Sequence, residues 1–316
     1  MDRQAIAVVE LSRLEHCTRG TLQRRKALQL RRTIILPLWC SVAMVAILCV
    51  SSARAFAQQR PLETQDPDTI GAGRVLFDAG VSGARDQFYP LSGLRGDLWR
   101  LPMLGLDVRV SSIADIQITG GPFDRLLISS REPAPASDLL TVTGTSTHAV
   151  DDIIFGAKIR LVSETSRHPS LGVRFETRLP NAKHPSGLGQ DTTDFGTSLL
   201  MGKTIDRIHM IANVGVMIMR APLDASQQNN VMTYGVSATR AIAPSAEIVA
   251  EVTGWASVHG SPPIGTESRG HVTVGTRFKR GPVQVDAGIF FGLHAVDPSV
   301  GVTAGISYLL NAFRIP

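Results

Sequence analysis

Charged side chains recur at every second position in several segments of this chain, with apolar residues between them. Period two is the spacing of a β-strand, so these charges are predicted to share one face of a sheet. A row of charges of this kind can select solutes along a polar passage, or it can neutralise itself through salt bridges. Both readings remain open for the candidate residues, which are Lys158, Arg160, Arg174, Glu176, Arg178, Glu247 and Glu251.

A glycine- and proline-rich stretch at 180–194 offers a second kind of chemistry. Asp191 and Asp194 near its end could supply oxygen ligands to a calcium ion or contact a solute outside the sheet. Ordinary turn formation explains the same composition, because Gly, Pro, Asn and Asp each favour turns. We therefore treat these two carboxylates as candidate extracellular loop ligands and predict no metal site.

Other motifs for catalysis or cofactor binding fail on spacing. The eight histidines include no pair at metal-ligand spacing, and all 3 cysteines lie before residue 58. Gly202-Lys203-Thr204 resembles the end of a phosphate-binding loop, but Thr197 stands where its first glycine is needed. No Gly-x-Ser-x-Gly elbow occurs. The sequence thus predicts no catalytic residue, no cofactor and no enzyme, although a lipid hydrolase assembled from neighbouring strands is a third alternative.

Alternating apolar and polar residues continue through most of the chain after residue 70. Each segment has one face of Val, Ile, Leu or Phe and one face of charged residues or glycine, as Phe155 and Lys158 illustrate. The pattern predicts an all-β fold of twelve strands, give or take two. The predicted strands are 74–81, 104–110, 114–119, 152–162, 171–179, 195–201, 208–218, 231–239, 246–256, 271–278, 283–291 and 300–308.

The connections distinguish a barrel from a soluble sandwich, because both folds alternate. Long gaps, such as 82–103 and 120–151, alternate with short gaps, such as 111–113 and 163–170. Transmembrane barrels are connected in this way, with short periplasmic turns and long outer loops. An apolar face repeated on every strand suits lipid, where unpaired backbone groups force the sheet to close. We predict a transmembrane antiparallel up-and-down β-barrel over residues 71–316, with glycines relieving crowding inside it.

The first residues of the chain have the plan of an export signal. Nine of the 32 Lys/Arg and three of the 27 Asp/Glu lie in 1–57, so the remainder is nearly neutral. The apolar run 34–50 follows Arg31-Arg32 and precedes Ala55-Phe56-Ala57, which predicts cleavage of residues 1–57. An uncleaved anchor is the alternative, because the run is nearly long enough to span a bilayer. Residues 58–70 are predicted to form a periplasmic linker.

One stretch resembles a known family. Glu176-Thr-Arg-Leu-Pro180, then Ser186-Gly-Leu-Gly189, then Thr193-Asp-Phe195 is similar to the outer-membrane channels of the meta-pathway of phenol degradation. That family is similar in turn to the hydrophobic-solute channels that include long-chain fatty-acid transporters. The resemblance implies a barrel that carries small, aromatic or apolar compounds.

The leading hypothesis is therefore a channel in the cell outer membrane for a small-molecule solute. The alternative is a structural or partner-binding barrel without an open pore, whose loops at 82–103 and 120–151 bind partners. The predicted partners are outer-membrane lipids, the barrel-assembly machinery and the solute. Nucleic acid is not expected, because the part after residue 57 carries no basic excess.

Overall fold

The computed structural model describes residues 60–71, 73–224 and 226–312, so the predicted export signal at 1–57 lies outside the described residues. The strands are β1 (Arg74–Tyr89), β2 (Leu94–Arg109), β3 (Ala114–Gly120), β4 (Asp124–Arg131), β5 (Ser146–Ala149), β6 (Ile153–Val162), β7 (Ser170–Leu179), β8 (Asp194–Ile205), β9 (Ile208–Arg220), β10 (Gln228–Ala243), β11 (Ala246–Ser257), β12 (Arg269–Arg280), β13 (Val283–Gly292) and β14 (Val300–Asn311).

The sheet closes on itself as a 12-stranded antiparallel barrel. Each wall strand pairs with its neighbour in the chain, apart from the step from β3 to β6, and β1 pairs with both β14 and β2. Closure gives every wall strand a partner on both sides, as lipid requires of the backbone. The predicted fold class and strand number are confirmed.

Two strands of the sheet lie beyond the closed wall. β2 pairs with β3 through its second half, Leu104–Arg109, and with β4 through its first half, Leu94–Arg100. β4 then pairs with β5, so these two strands form a hairpin that prolongs β3 and β6 outward. The predicted long loops at 82–103 and 120–151 are therefore wrong in part, because most of 82–103 is strand. Charged residues interrupt the alternation of apolar and polar side chains there, so the spacing does not predict these strands.

The barrel exposes apolar side chains on its outer surface and buries charged side chains inside, which is the reverse of a soluble protein. Large apolar side chains on the outward face are exposed, for example Phe278 at 56% and Val236 at 61%. Charged and amide side chains are buried inside, among them Lys158 at 0% and Asp286 at 1%. Soluble monomers rarely expose so large an apolar surface, whereas lipid covers it without penalty. The protein is thus an outer-membrane β-barrel, and the cell outer membrane is its location.

The two ends of the barrel differ in their connections. Turns such as Asp206-Arg207 and Gly281-Pro282 join strands at one end, and the left-handed backbone of Asp206 and Gly281 allows the tight reversal. Loops such as 180–193 and 258–268 lie at the other end, which we take as the outer end. Two short 3₁₀ turns, Ser137–Leu139 and His184–Ser186, occur in the outer loops. Within the described ranges no helix has the length and apolar character to cross a bilayer.

Candidate functional site

The interior of the barrel is occupied by the chain's own segment 60–70, which we call the inner segment. It precedes β1 and contacts inward-facing side chains from most of the wall. The contacts are Arg60 with Asp286 and Thr303, Glu63 and Thr64 with Glu251, Gln65 with Asn213, Asp66 with His209, Asp68 with Lys158, and Ile70 with Asp115. Most of these partners lie in the half of the barrel nearest the short turns, whereas Thr303 is the fourth residue from the outer end of β14.

Glu251 on β11 holds the middle of the inner segment. Its Oε1 and Oε2 accept the backbone N–H of Glu63 at 3.0 and 2.9 Å, and Oε2 also accepts that of Thr64 at 2.5 Å. The Thr64 hydroxyl donates to Ser237 Oγ on β10 at 2.7 Å. A carboxylate that accepts backbone N–H groups makes stronger hydrogen bonds than a neutral acceptor does. Glu251 therefore fixes a stretch of chain that forms no strand of its own.

We expect Glu251→Gln to loosen this attachment without unfolding the barrel. Hydrogen bonds to charged groups are worth about 1.5–3 kcal/mol, so exchange of the Glu63 and Thr64 amide hydrogens should accelerate by roughly ten- to a hundredfold. Hydrogen-exchange mass spectrometry of the purified protein measures this rate. Glu176→Gln is the matched control, because Glu176 pairs with Arg174 rather than with the inner segment. Equal exchange rates in the two variants would contradict the assignment.

Asp66 and Gln65 attach the inner segment to β9. Asp66 Oδ2 lies 2.8 Å from His209 Nε2, and the Gln65 backbone exchanges two hydrogen bonds with the Asn213 amide, at 2.6 and 2.9 Å. Burial alone would raise the pKa of Asp66, but the hydrogen bond and charge of His209 outweigh it, so this pKa lies below its ordinary value. Asp66 thus remains an anion beside His209 at neutral pH.

Lys158 and Arg160 on β6 attach the end of the inner segment. The Lys158 ammonium donates to the Asp68 backbone carbonyl at 2.9 Å and lies 3.6 Å from the Asp115 carboxylate of β3. Both of these ionic side chains are completely buried. The Arg160 guanidinium lies 3.7 Å from the Asp68 carboxylate. A buried cation at the junction of β3, β6 and the inner segment holds all three together.

Glycines in the wall make room for the inner segment. A Cβ at Gly275 would approach Pro61 to 2.9 Å, and one at Gly235 would approach Thr64 to 2.6 Å, which is closer than real Cβ atoms come. Gly80 and Gly305 face the Arg60 guanidinium in the same way, and a Cβ at Gly172 or Gly202 would lie 3.2 or 3.3 Å from Pro67, a tight contact. The sequence correctly predicts inward glycines, and the structure supplies the reason: side chains of the inner segment lie against them.

The remaining predicted charges form pairs on the wall itself. Arg174 pairs with Glu176 and donates to Gln117 at 2.8 Å. Arg178 binds Asp194, whose other oxygen accepts the Arg220 backbone N–H at 3.1 Å. Glu247 lies 2.9 Å from Lys279 and 3.8 Å from Arg277.

The predicted loop ligand Asp191 pairs within loop 180–193 with the exposed Lys183, at 2.6 Å. Within the described ranges, no group of three His, Cys, Asp or Glu residues could hold a metal ion.

A cavity of about 170 Å³ lies in the outer half of the lumen. Its polar lining includes Arg100, Asp124, Asp151, Arg178 and Arg269, and Trp255 adds an aromatic surface. Part of loop 180–193 also lines it: the Gly187 carbonyl accepts from the Ser92 hydroxyl at 2.7 Å, and the Gln190 amide donates to the Gly265 carbonyl at 2.5 Å. This loop therefore crosses from β7 towards two distant parts of the rim. The volume is sufficient for a group of water molecules.

Sequence reasoning missed the occupant of the lumen. The inner segment shows no alternation, and the prediction of a periplasmic linker for 58–70 gave it no place in the barrel. Its two prolines, Pro61 and Pro67, and its buried Leu62 and Ile70 were the available signals of an ordered, non-strand segment. The role of the wall charges towards a solute stays a prediction. Residues 60–70 of the predicted periplasmic linker lie inside the barrel instead, because their polar groups bond to the inner wall.

Comparisons with known proteins are informative at the level of the fold. No protein-family model matches the chain, and no curated protein matches it. An outer membrane channel from Pseudomonas putida F1 is similar in structure, with a TM-score of 0.57 and 10% identity over 78% of this chain and 98% of that chain. The translocator domain of the autotransporter NalP from Neisseria meningitidis has a TM-score of 0.42 and 14% identity, covering 77% of this chain and 90% of that chain. A mutant of the monoaromatic hydrocarbon channel TodX has a TM-score of 0.38 and 11% identity, covering 79% and 93%.

Proposed function

We propose that this protein is an outer-membrane channel for small solutes, in which the inner segment closes the half of the lumen nearest the short turns. The observation that supports the proposal is the polar interior, in which a cavity lies above the inner segment. Barrels of eight strands are filled by their own side chains, whereas those of sixteen or more hold open water channels. A barrel of twelve strands has room for a narrow passage together with a segment that restricts it.

The residues that line the cavity suit a solute that carries hydrogen-bonding groups. Guanidinium groups of Arg100 and Arg269 and the Asp124 and Asp151 carboxylates line the cavity, and Trp255 offers an apolar surface beside them. A small ring with polar substituents suits such a lining, because polar groups orient a ligand and an aromatic surface packs against its flat face. The aromatic or apolar solute class implied by the family resemblance remains a prediction.

The experiment is reconstitution of the mature protein in planar bilayers and in liposomes. We expect discrete but small conductance steps, and liposome swelling in arabinose that exceeds that of protein-free liposomes. Swelling in sodium benzoate tests whether an aromatic carrying an ionic group also enters. If neither the native protein nor a variant without the inner segment conducts ions, the channel proposal is wrong.

A second candidate function is a closed barrel that serves a structural or partner-binding role. The extensive hydrogen bonding of the inner segment favours it, because each wall contact would have to break before a wide pore could open. The two candidates differ in the behaviour of the segment-deleted variant. A channel conducts more when the segment is removed, whereas a barrel that is sealed by loop 180–193 as well stays closed.

A further inference from the structure

One sector of the outward face carries cations and aromatic rings at the outer end of the barrel. Trp99 on β2 is the direct cross-strand partner of Arg125 on β4, and Arg125 is the partner of His148 on β5. All three side chains are exposed, as is Arg85 on the neighbouring β1. We call these four residues the outer basic patch. It lies outside the lumen and contributes nothing to the cavity.

The outer basic patch lies at the height of the lipid headgroups. Trp99 and Leu101 are exposed on β2 at 51% and 54%, and exposed Leu104 continues the apolar face towards the short turns. With about 3.4 Å per residue and a strand tilt of about 40°, Trp99 lies roughly 24 Å above Val108 on the same strand. The apolar band of a transmembrane barrel is about 25 Å tall and is bounded by aromatic residues. Trp99 therefore marks the outer edge of the band.

The cations of the patch are available to a ligand. Within the described residues, neither Arg85 nor Arg125 makes an ion pair or a side-chain hydrogen bond. The two neighbouring acids face other partners: Asp86 lies 3.4 Å from Arg95, and Asp97 accepts the Asp86 backbone N–H at 3.3 Å. His148 stacks on Phe123 with ring centroids 5.8 Å apart, which fixes the imidazole beside Arg125.

Other parts of the outer edge look different. The outward residues near the outer ends of β7, β8 and β13 are Leu179, Phe195 and Phe291, which are apolar. Arg220 at the end of β9 is a single exposed cation with Gln228 as its cross-strand partner. Cations side by side on adjacent strands are thus a property of the β1–β5 sector.

We propose that the outer basic patch binds the phosphate groups of an anionic glycolipid of the outer leaflet, of the lipid A type. Guanidinium groups bind phosphate oxygens through paired hydrogen bonds, and the imidazole adds a further donor. The Trp99 indole lies at the interface, where aromatic rings are favoured, and the acyl chains of the same lipid would cover the apolar face below it. Charge complementarity and continuity with the lipid-covered surface both point to this occupant.

The test is binding of lipid A to the purified protein in detergent, measured by native mass spectrometry. We expect Arg85→Gln/Arg125→Gln to weaken binding, by about fivefold for each arginine removed. Arg220→Gln is the matched control and should bind as the unaltered protein does. Lipid A from which both phosphates have been removed should bind the unaltered protein as weakly as intact lipid A binds the double variant.

Two results would overturn the proposal. One is equal affinity of the double variant and the Arg220→Gln control for lipid A, with both proteins folded by heat-modifiable gel migration. The other is equal affinity of the unaltered protein for phosphorylated and dephosphorylated lipid. Neither result bears on the channel proposal, because the patch and the lumen lie on opposite faces of the wall.

Discussion

Deletion of residues 60–70 should raise the single-channel conductance several-fold while the barrel remains folded. The segment contacts inward side chains on β3, β6, β9, β11, β13 and β14, so its removal widens the half of the lumen nearest the short turns. The wall keeps its own hydrogen bonds, because the inner segment belongs to no strand. Conductance in planar bilayers measures the change, and heat-modifiable migration on a detergent gel checks the fold.

A crosslink provides the matched experiment in the full chain. The hydroxyls of Thr64 and Ser237 are 2.7 Å apart, so cysteines at these two positions are close enough for a disulfide. All 3 cysteines of the chain lie within residues 1–57, so a protein produced without those residues has a thiol-free background. Thr64→Cys/Ser237→Cys should conduct less when oxidised than after reduction. The single variant Ser237→Cys should respond to neither treatment.

Two outcomes separate the possible roles of the segment. High conductance of the deleted protein, together with a redox response of the crosslinked protein, identifies the inner segment as a movable closure. High conductance of the deleted protein without a redox response means that the segment restricts the lumen but does not leave it. Unchanged conductance after deletion would contradict the assignment of the inner segment as the restriction and would favour the closed barrel that is sealed by loop 180–193.

Replacement of Lys158 by methionine should cause a large loss of stability of the barrel. Lys158 and Asp115 are both completely buried, and Lys158 also donates to the Asp68 carbonyl. Methionine keeps the length of the side chain but leaves the Asp115 carboxylate without its cation. Breaking a buried ion pair from one side typically costs about 3–5 kcal/mol. Urea unfolding in lipid vesicles, followed by tryptophan fluorescence, measures the free energy of unfolding.

Two further variants test the cause of this loss. Lys158→Met/Asp115→Asn should recover much of the stability, because a neutral pair leaves no buried charge without a partner. Lys183→Met breaks the exposed pair with Asp191 and should change the free energy of unfolding by less than about 1 kcal/mol. If Lys158→Met lowers the free energy of unfolding by no more than Lys183→Met does, water reaches the Asp115 carboxylate, and the contact between β3, β6 and the inner segment is not dry.

The sequence by itself determined the wall. Alternation such as Phe155 against Lys158 assigns each side chain to one face, and a face of this apolar character on every strand is compatible with lipid and with little else. The alternation of short and long connections then predicts that consecutive strands are antiparallel neighbours, because such strands are joined at alternating ends of the sheet. These features are local, so they can be read from spacing along the chain.

Only the tertiary structure decided what the inner face does. The sequence left Lys158, Arg160 and Glu251 as candidates for contact with a solute or for mutual salt bridges, and in the folded chain they bind the inner segment. Asp66 and His209 are far apart in sequence and meet only because the segment follows the inner wall. The alternation of apolar and polar residues predicts which face of the sheet each side chain occupies. It does not predict which distant segment lies against that face, because the lumen exists only once the barrel has closed.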